Sequence, residues 1–180
     1  YHAFALGEAF QEVSHDADLY LSLTGKSQLR DEYELSRNPR LNKDSVTIDG
    51  EDIDVYVEHQ HHLGVPYDTL VAYAQVTNGV RVASLEHLLV LKLDAAANRQ
   101  GTQKGEKDVR DLVKVVALLD RPRQELLKPL QSVERSTMLH KVIARKDIGR
   151  ILGLNDFETK RFVTQMQKHA RTIDVAWNGK

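Results

Sequence analysis

The 180-residue sequence contains no cysteine. That excludes disulfides and thiolate metal sites and says little about compartment. No apolar run approaches the roughly 18 to 20 residues that a membrane span needs, so no membrane-spanning helix is expected. No basic, apolar and small-residue leader opens the chain, and a cytoplasmic location is the expectation. The first residue is Tyr1 rather than Met, so some N-terminal sequence is expected to be missing. Internal repeats and low-complexity tracts are absent too. What is present is ordinary in amount. Hydrophobic residues make up 41% of the chain, enough for a real core. The length suits one compact domain, or a domain with a small appendage.

The net charge of −1 conceals an asymmetry. Residues 1–120 hold 12 Lys and Arg against 20 Asp and Glu, whereas residues 121–180 hold 13 against 6. An acidic front and a basic tail would suit a cation-binding site beside a polyanion-binding surface. Two solvated faces that neutralise each other would look the same.

Local signals place the elements. The first dozen residues read as a helix end, followed by a strand at 18–23. Residues 24–43 are polar and rich in turn formers. Asp49-Gly50 and Asn78-Gly79 each sit between β-rich runs, where glycine supplies the positive φ of a tight hairpin turn. "YDTLVAYA" predicts a short helix. Ser84 is placed to cap the helix "LEHLLVLKLDAAANR", and "QGTQKG" should break it. In the next helix, Val109, Leu112, Val113, Val116 and Leu119 form one apolar stripe. Arg121-Pro122 marks a boundary between a unit at 1–120 and a basic helical region at 121–180. Strands first, with helices between and after them, predict an α/β or α+β fold: a mixed sheet flanked by helices, with a helical C-terminal part.

The acids have a pattern. Strand side chains alternate faces with period two. In "DADLYLS", Asp16, Asp18, Tyr20 and Ser22 share a face; in "DIDVYVE", Asp52, Asp54, Tyr56 and Glu58 do. If the two strands are neighbours, three or four carboxylates converge. Converging like charges are costly unless a cation neutralises them. Hard ions such as Mg²⁺ take oxygen ligands, and paired ions roughly 4 Å apart serve in-line displacement at phosphorus. The alternative is an exposed polar sheet face with solvated acids, although aspartate is a poor strand former. On the helix that follows, Lys92, Ala95 and Arg99 share one face. Two cations flanking a small residue leave room for a bulky anion such as a triphosphate. Asp108 and Asp111 lie one turn apart near the start of the next helix. There they suit the helix dipole, position Lys92 or Arg99, or touch the incoming nucleotide.

The order D-x-D, a later strand aspartate, K-x-x-A-x-x-x-R and D-x-x-D-L resembles the polymerase-β-type nucleotidyltransferases. "TIDGEDIDVYV", "VRVASLEHLLVLKLDAAANR" and "KGEKDVRDL" resemble most the branch of abortive-infection AbiEii toxins and related bacterial proteins. The resemblance spans residues 14–119. It implies a mixed sheet flanked by helices, Mg²⁺ or Mn²⁺ as cofactor, and an NTP substrate. Asp16 and Asp18 match the metal-binding pair. Asp54 matches the third carboxylate, which also assists removal of the acceptor proton. Lys92 matches the lysine facing the triphosphate, and Arg99, Asp108 and Asp111 match later motifs that contact substrate. It further implies a toxin–antitoxin or phage-defence setting, with an antitoxin protein as partner. The family's Gly-Ser or Gly-Gly upstream of D-x-D has no match; Gly7-Glu8 is nearest, and its carboxylate would repel a phosphate. The reading implied is a nucleotidyltransferase acting on an RNA (tRNA among the candidates) or protein hydroxyl. The alternative is a catalytically degenerate module of the same fold that binds nucleic acid or a partner protein.

Other features fit ordinary roles. His59, His61 and His62 lack a nearby fourth ligand at metal-site spacing and are expected in a polar loop. "ARKDIGRILGLNDFETKRF" resembles a helix-turn-helix faintly, and is expected as a helical hairpin capped by Asn155. The basic excess of that region would suit an RNA or DNA acceptor. Trp177 is expected to dock the terminus.

Overall fold

The computed structural model describes residues 17–39, 43–119 and 121–178. The expected N-terminal helix end lies outside them. Strand β1 (Ala17–Leu21) leads into helix α1 (Leu23–Glu32), then β2 (Ser36–Asn38), β3 (Lys43–Ile48) and β4 (Glu51–Val57). The strand order is β1-β4-β3-β2. β1 runs parallel to β4, and the remaining pairs are antiparallel, so the sheet is mixed as expected. The β3–β4 turn has Asp49 at φ 53° and Gly50 at φ 84°, both in the left-handed region that a two-residue hairpin turn requires. The same holds for Asn78 and Gly79, between β5 (Gln75–Thr77) and β6 (Val80–Val82).

Helix α1 replaces the expected polar loop. Ser22 caps it, its hydroxyl accepting from the Gly25 amide at 2.9 Å, and the Glu58 carboxylate accepts from the Leu23 amide at 3.0 Å. No residue of α1 is fully buried, so no apolar stripe betrays it. Helix α2 (Tyr67–Ala72) precedes the second hairpin, and α3 (Leu85–Asn98) follows it, with Ser84 as its cap. The break after α3 is shorter than "QGTQKG" suggested: α4 (Gln103–Leu118) already includes Gly105. Thr102 caps α4 by accepting from the Gly105 amide at 3.0 Å. Glycine fits at 105 because a Cβ there would lie 2.1 Å from the Arg99 carbonyl oxygen.

Beyond residue 121 come α5 (Gln124–Leu127), a 3₁₀ turn (Lys128–Leu130), α6 (Val133–Ile143), α7 (Ile148–Leu152) and α8 (Asp156–Asn178). The α7–α8 corner is a helical hairpin. Gly153 at φ 67° ends α7. Asn155 and Glu158 then cap α8 reciprocally, each side chain accepting from the other's amide at 3.0 Å, which is a capping box.

Two apolar clusters result. One face of the sheet buries Val46, Val55 and Val57, with Leu21, Leu29, Leu35, Ile48 and Ile53 packed around them. The much larger cluster unites α3 and α4 with α6 and α8. It takes Leu89, Leu93, the predicted stripe on α4, Leu139, Met166, Ile173 and Trp177. Residues from both sides of Arg121-Pro122 contribute to it. Arg135 on α6 clasps Asp94 on α3 through two 2.8 Å hydrogen bonds and also reaches the Gly64 carbonyl oxygen at 3.2 Å. Arg123 makes a bidentate contact to Glu86 at 3.1 and 3.0 Å.

Candidate active site

The parallel pairing of β1 with β4 sets Ala17 opposite Ile53, Asp18 opposite Asp54 and Tyr20 opposite Tyr56. Adjacent strands lie about 4.8 Å apart, so the two aspartates stand side by side on one sheet face. The opposite face carries the valine cluster. The two acidic strands are therefore neighbours, as their shared pattern suggested. Asp16 and Gly7-Glu8 lie outside the described residues. Asp52 and Glu58 do not join the pair: Asp52 accepts from the Thr47 hydroxyl at 2.8 Å, and Glu58 is spent at the start of α1.

Charge accumulates around Asp18. The residue is exposed on the sheet face, yet neighbouring protein crowds its carboxyl and removes part of its water. That crowding, and then the neighbouring charge of Asp54, push its pKa up against the pull of Lys92, Lys43 and Arg99. Tyr56, one rung further on the same face, is pushed up to about 12 by burial and then by Asp18 and Asp54, with Arg99 opposing. Its phenol therefore stays a neutral O–H donor throughout the working pH range. Lys43, on β3, donates to Asp54.

Helices α3 and α4 supply the facing cations and hold them. Lys92 Nζ lies 2.7 Å from Asp111 Oδ2 and 3.7 Å from Asp108 Oδ1. Arg99 Nη1 lies 3.1 Å from Asp108 Oδ2, and Asp108 is buried. Asp108 and Asp111 thus pair with the two cations of α3.

The donor set tests the expected cofactor. Asp18 and Asp54 offer hard oxygens in adjacent register, the donor type that Mg²⁺ prefers, and the cost of crowding them together is one that a divalent cation relieves. Among the described residues no three His, Asp or Glu side chains converge closely enough to hold a metal ion. The histidine loop is polar and structural. The His61 ring accepts from the Val57 amide at 2.8 Å and meets the Tyr56 ring edge-on at 5.5 Å, while the Tyr20 hydroxyl donates to the His61 carbonyl oxygen. Sequence reasoning missed Lys43, Tyr56 as a neighbour of both acids, and the Asp94–Arg135 clasp. Lys43 could be found only from the β3–β4 register. Asp94 was visible inside "KLDAAANR", but nothing local named a partner 41 residues away.

The fold is shared with a protein of known structure. The chain resembles an antigenic nucleotidyltransferase-like protein from Paracoccidioides brasiliensis with a TM-score of 0.50 and 20% sequence identity, over 86% of this chain and 81% of that one. At that identity the likeness shows the fold alone, and the fold is the nucleotidyltransferase-like one. No family model and no curated protein sequence matches the chain.

Proposed function

We propose that the protein is a nucleotidyltransferase that moves a nucleotidyl group from a nucleoside triphosphate to a hydroxyl on RNA, tRNA included, or on protein, with Mg²⁺ or Mn²⁺ as cofactor. One observation carries this reading: Asp18 and Asp54 stand opposite each other on a parallel rung, with Lys92 and Arg99 within electrostatic reach. Asp18 and Asp54, with Asp16 by resemblance, would hold the ion. When bound, it would neutralise the carboxylates and the charge that develops on the phosphate. The chain's own residues do the rest. Lys92 meets the triphosphate as a point charge and Arg99 as a fork, and Asp108 and Asp111 hold both cations in place. Asp54 takes the acceptor's proton as the acceptor oxygen bonds the α-phosphorus and the bond to pyrophosphate breaks. Asp54 must release Lys43 to do so. The motif resemblance supports a cytoplasmic toxin–antitoxin or phage-defence setting with an antitoxin protein as partner.

The Lys43–Asp54 pair favours a second reading, in which the lysine is a permanent counter-ion and the chain is a non-catalytic module binding nucleic acid or a protein. Incubation with labelled NTPs, Mg²⁺ and total tRNA or lysate separates the two. Label transfer by the wild type, lost in Asp18→Ala and Asp54→Ala, supports the enzyme. Equal transfer in all three proteins, or none in any, overturns it.

A further inference from the structure

Helix α8 gathers exposed cations along one face. Its residues 157, 160, 161, 164, 168, 171 and 175 fall within an arc of about 100° at 3.6 residues per turn. Every residue of that arc is exposed, while Met166, His169, Ala170 and Ile173 are buried on the opposite side. Four members of the arc are cations: Lys160, Arg161, Lys168 and Arg171. None of the four has a carboxylate partner among the described residues. The cations that hold the fold together elsewhere are matched: Lys26 to Asp44, Lys43 to Asp54, Lys92 to Asp111, Arg99 to Asp108, Arg123 to Glu86 and Arg135 to Asp94. The acids of α8 do not neutralise the stripe. Glu158 is tied to the Asn155 amide, Asp174 is bonded by His140 and Ser136, and Asp156 lies outside the arc. At the N-terminal end of the stripe Phe157 is 69% exposed, with the Arg161 guanidinium 5.8 Å from its ring centre.

Unmatched cations along one helix face call for a repeating anion. Lys160 and Arg171 are about 16 Å apart along the axis, long enough to follow successive phosphates. An open aromatic ring backed by an arginine is a platform for an unpaired base. We propose that the exposed face of α8 is a docking surface for single-stranded RNA: Lys160, Arg161, Lys168 and Arg171 contact phosphates, and Phe157 stacks on a base. RNA is the source chosen because its loops and ends present unpaired bases, whereas cellular DNA is mostly paired. The inference does not depend on whether the acid pair is catalytic.

Fluorescence anisotropy with a labelled mixed-sequence 20-nucleotide RNA tests it across 50 to 300 mM KCl. The Lys160→Ala/Arg161→Ala/Lys168→Ala/Arg171→Ala protein should bind at least tenfold more weakly, and its slope of log K against log salt should fall by about 3. A control of equal charge change, Arg30→Ala/Arg81→Ala/Lys104→Ala/Arg110→Ala, should keep most of the affinity and the steeper slope. Phe157→Ala should lose about tenfold on single-stranded RNA and little on duplex RNA. Thermal melting confirms that each variant is folded. The proposal is overturned if the stripe variant binds RNA like the control. Tighter binding of duplex RNA or of single-stranded DNA of the same sequence also overturns it, as does binding of anionic vesicles or an acidic peptide but not RNA.

Discussion

The sheet and the helical part of this molecule are built on different terms. On the sheet, the apolar face buries Val46, Val55 and Val57, and the other face crowds Asp18 against Asp54. Among the helices, a continuous core runs from Leu89 to Trp177, and the inter-helix charges meet their opposites in good geometry, as at Asp94–Arg135 and Glu86–Arg123. Like charges meet where chemistry is proposed, on the sheet face, while the inter-helix contacts pair opposites. The sheet accepts a loss of stability at its reactive face, and the helices next to it supply the compensating burial.

The largest expected effect is on rate. Asp18→Ala and Asp54→Ala should each lower nucleotidyl transfer by about 10³-fold or more, since removing a group that stabilises developing charge costs on that order. Asp18→Asn should also raise the melting temperature at neutral pH, because it removes the crowded charge. A melting temperature that falls instead would show that Asp18 is a structural partner and erase the contrast between the two regions.

Next comes packing. Leu139→Ala, at a fully buried position on α6, should cost about 2–5 kcal/mol. Val55→Ala in the sheet should cost less in global stability, because its cluster is smaller. Urea unfolding followed by tryptophan fluorescence measures both, with Trp177 reporting on the helical core. If Val55→Ala abolishes folding while Leu139→Ala is tolerated, the helices are not the stabilising part.

A pH effect follows from His87. Its ring is fully buried, neither nitrogen has a partner among the described residues, and Tyr73 lies edge-on at 6.0 Å. Burial depresses its pKa, with Glu86 opposing and Arg123 adding to the drop. A folded-state pKa below the unfolded value of about 6.5 means that the unfolded chain binds the extra proton first. This contribution is complete above that value and is lost as pH falls through the folded-state one. The melting temperature should therefore decline below about pH 6, and His87→Phe should flatten the decline. An unchanged profile in that variant removes His87 as the cause.

The smallest effect belongs to Lys43. Lys43→Met breaks a partly buried ion pair at the sheet surface, and stability should change by about 1 kcal/mol. Mg²⁺ binding, followed by calorimetry, should tighten severalfold as the competing ammonium disappears. Weaker binding would mean that Lys43 supports the site rather than occupying it.

Much of this was readable in the residues, and the reasons are local. The matched patterns "DADLYLS" and "DIDVYVE" put acids on one face of each strand because period-two alternation is a property of each strand alone, while their adjacency came with the β1–β4 pairing. Asp49-Gly50, Asn78-Gly79, Ser84 and Asn155 announced turns and caps through chemistry confined to a few residues. The Val109–Leu119 stripe announced a buried helix face. What escaped depends on distant partners or on the absence of burial. Helix α1 has no buried face to reveal it. Lys43 meets Asp54 through strand register, and Arg135 meets Asp94 across the fold. The pairing of Asp108 and Asp111 with Lys92 and Arg99 was legible as one alternative, and the packing of α4 on α3 supplies its geometry.

Gly64 carries a consequence for substitution. A Cβ there would lie 1.8 Å from an Asp94 oxygen and 2.7 Å from the Arg135 guanidinium. Three residues far apart in the chain thereby meet in one tight contact. A side chain at 64 is admitted only if the Asp94 carboxylate and the Arg135 guanidinium swing aside, which would loosen the clasp between α3 and α6. At the hairpin tip the space around Gly79 is open, and its positive φ alone restricts substitution.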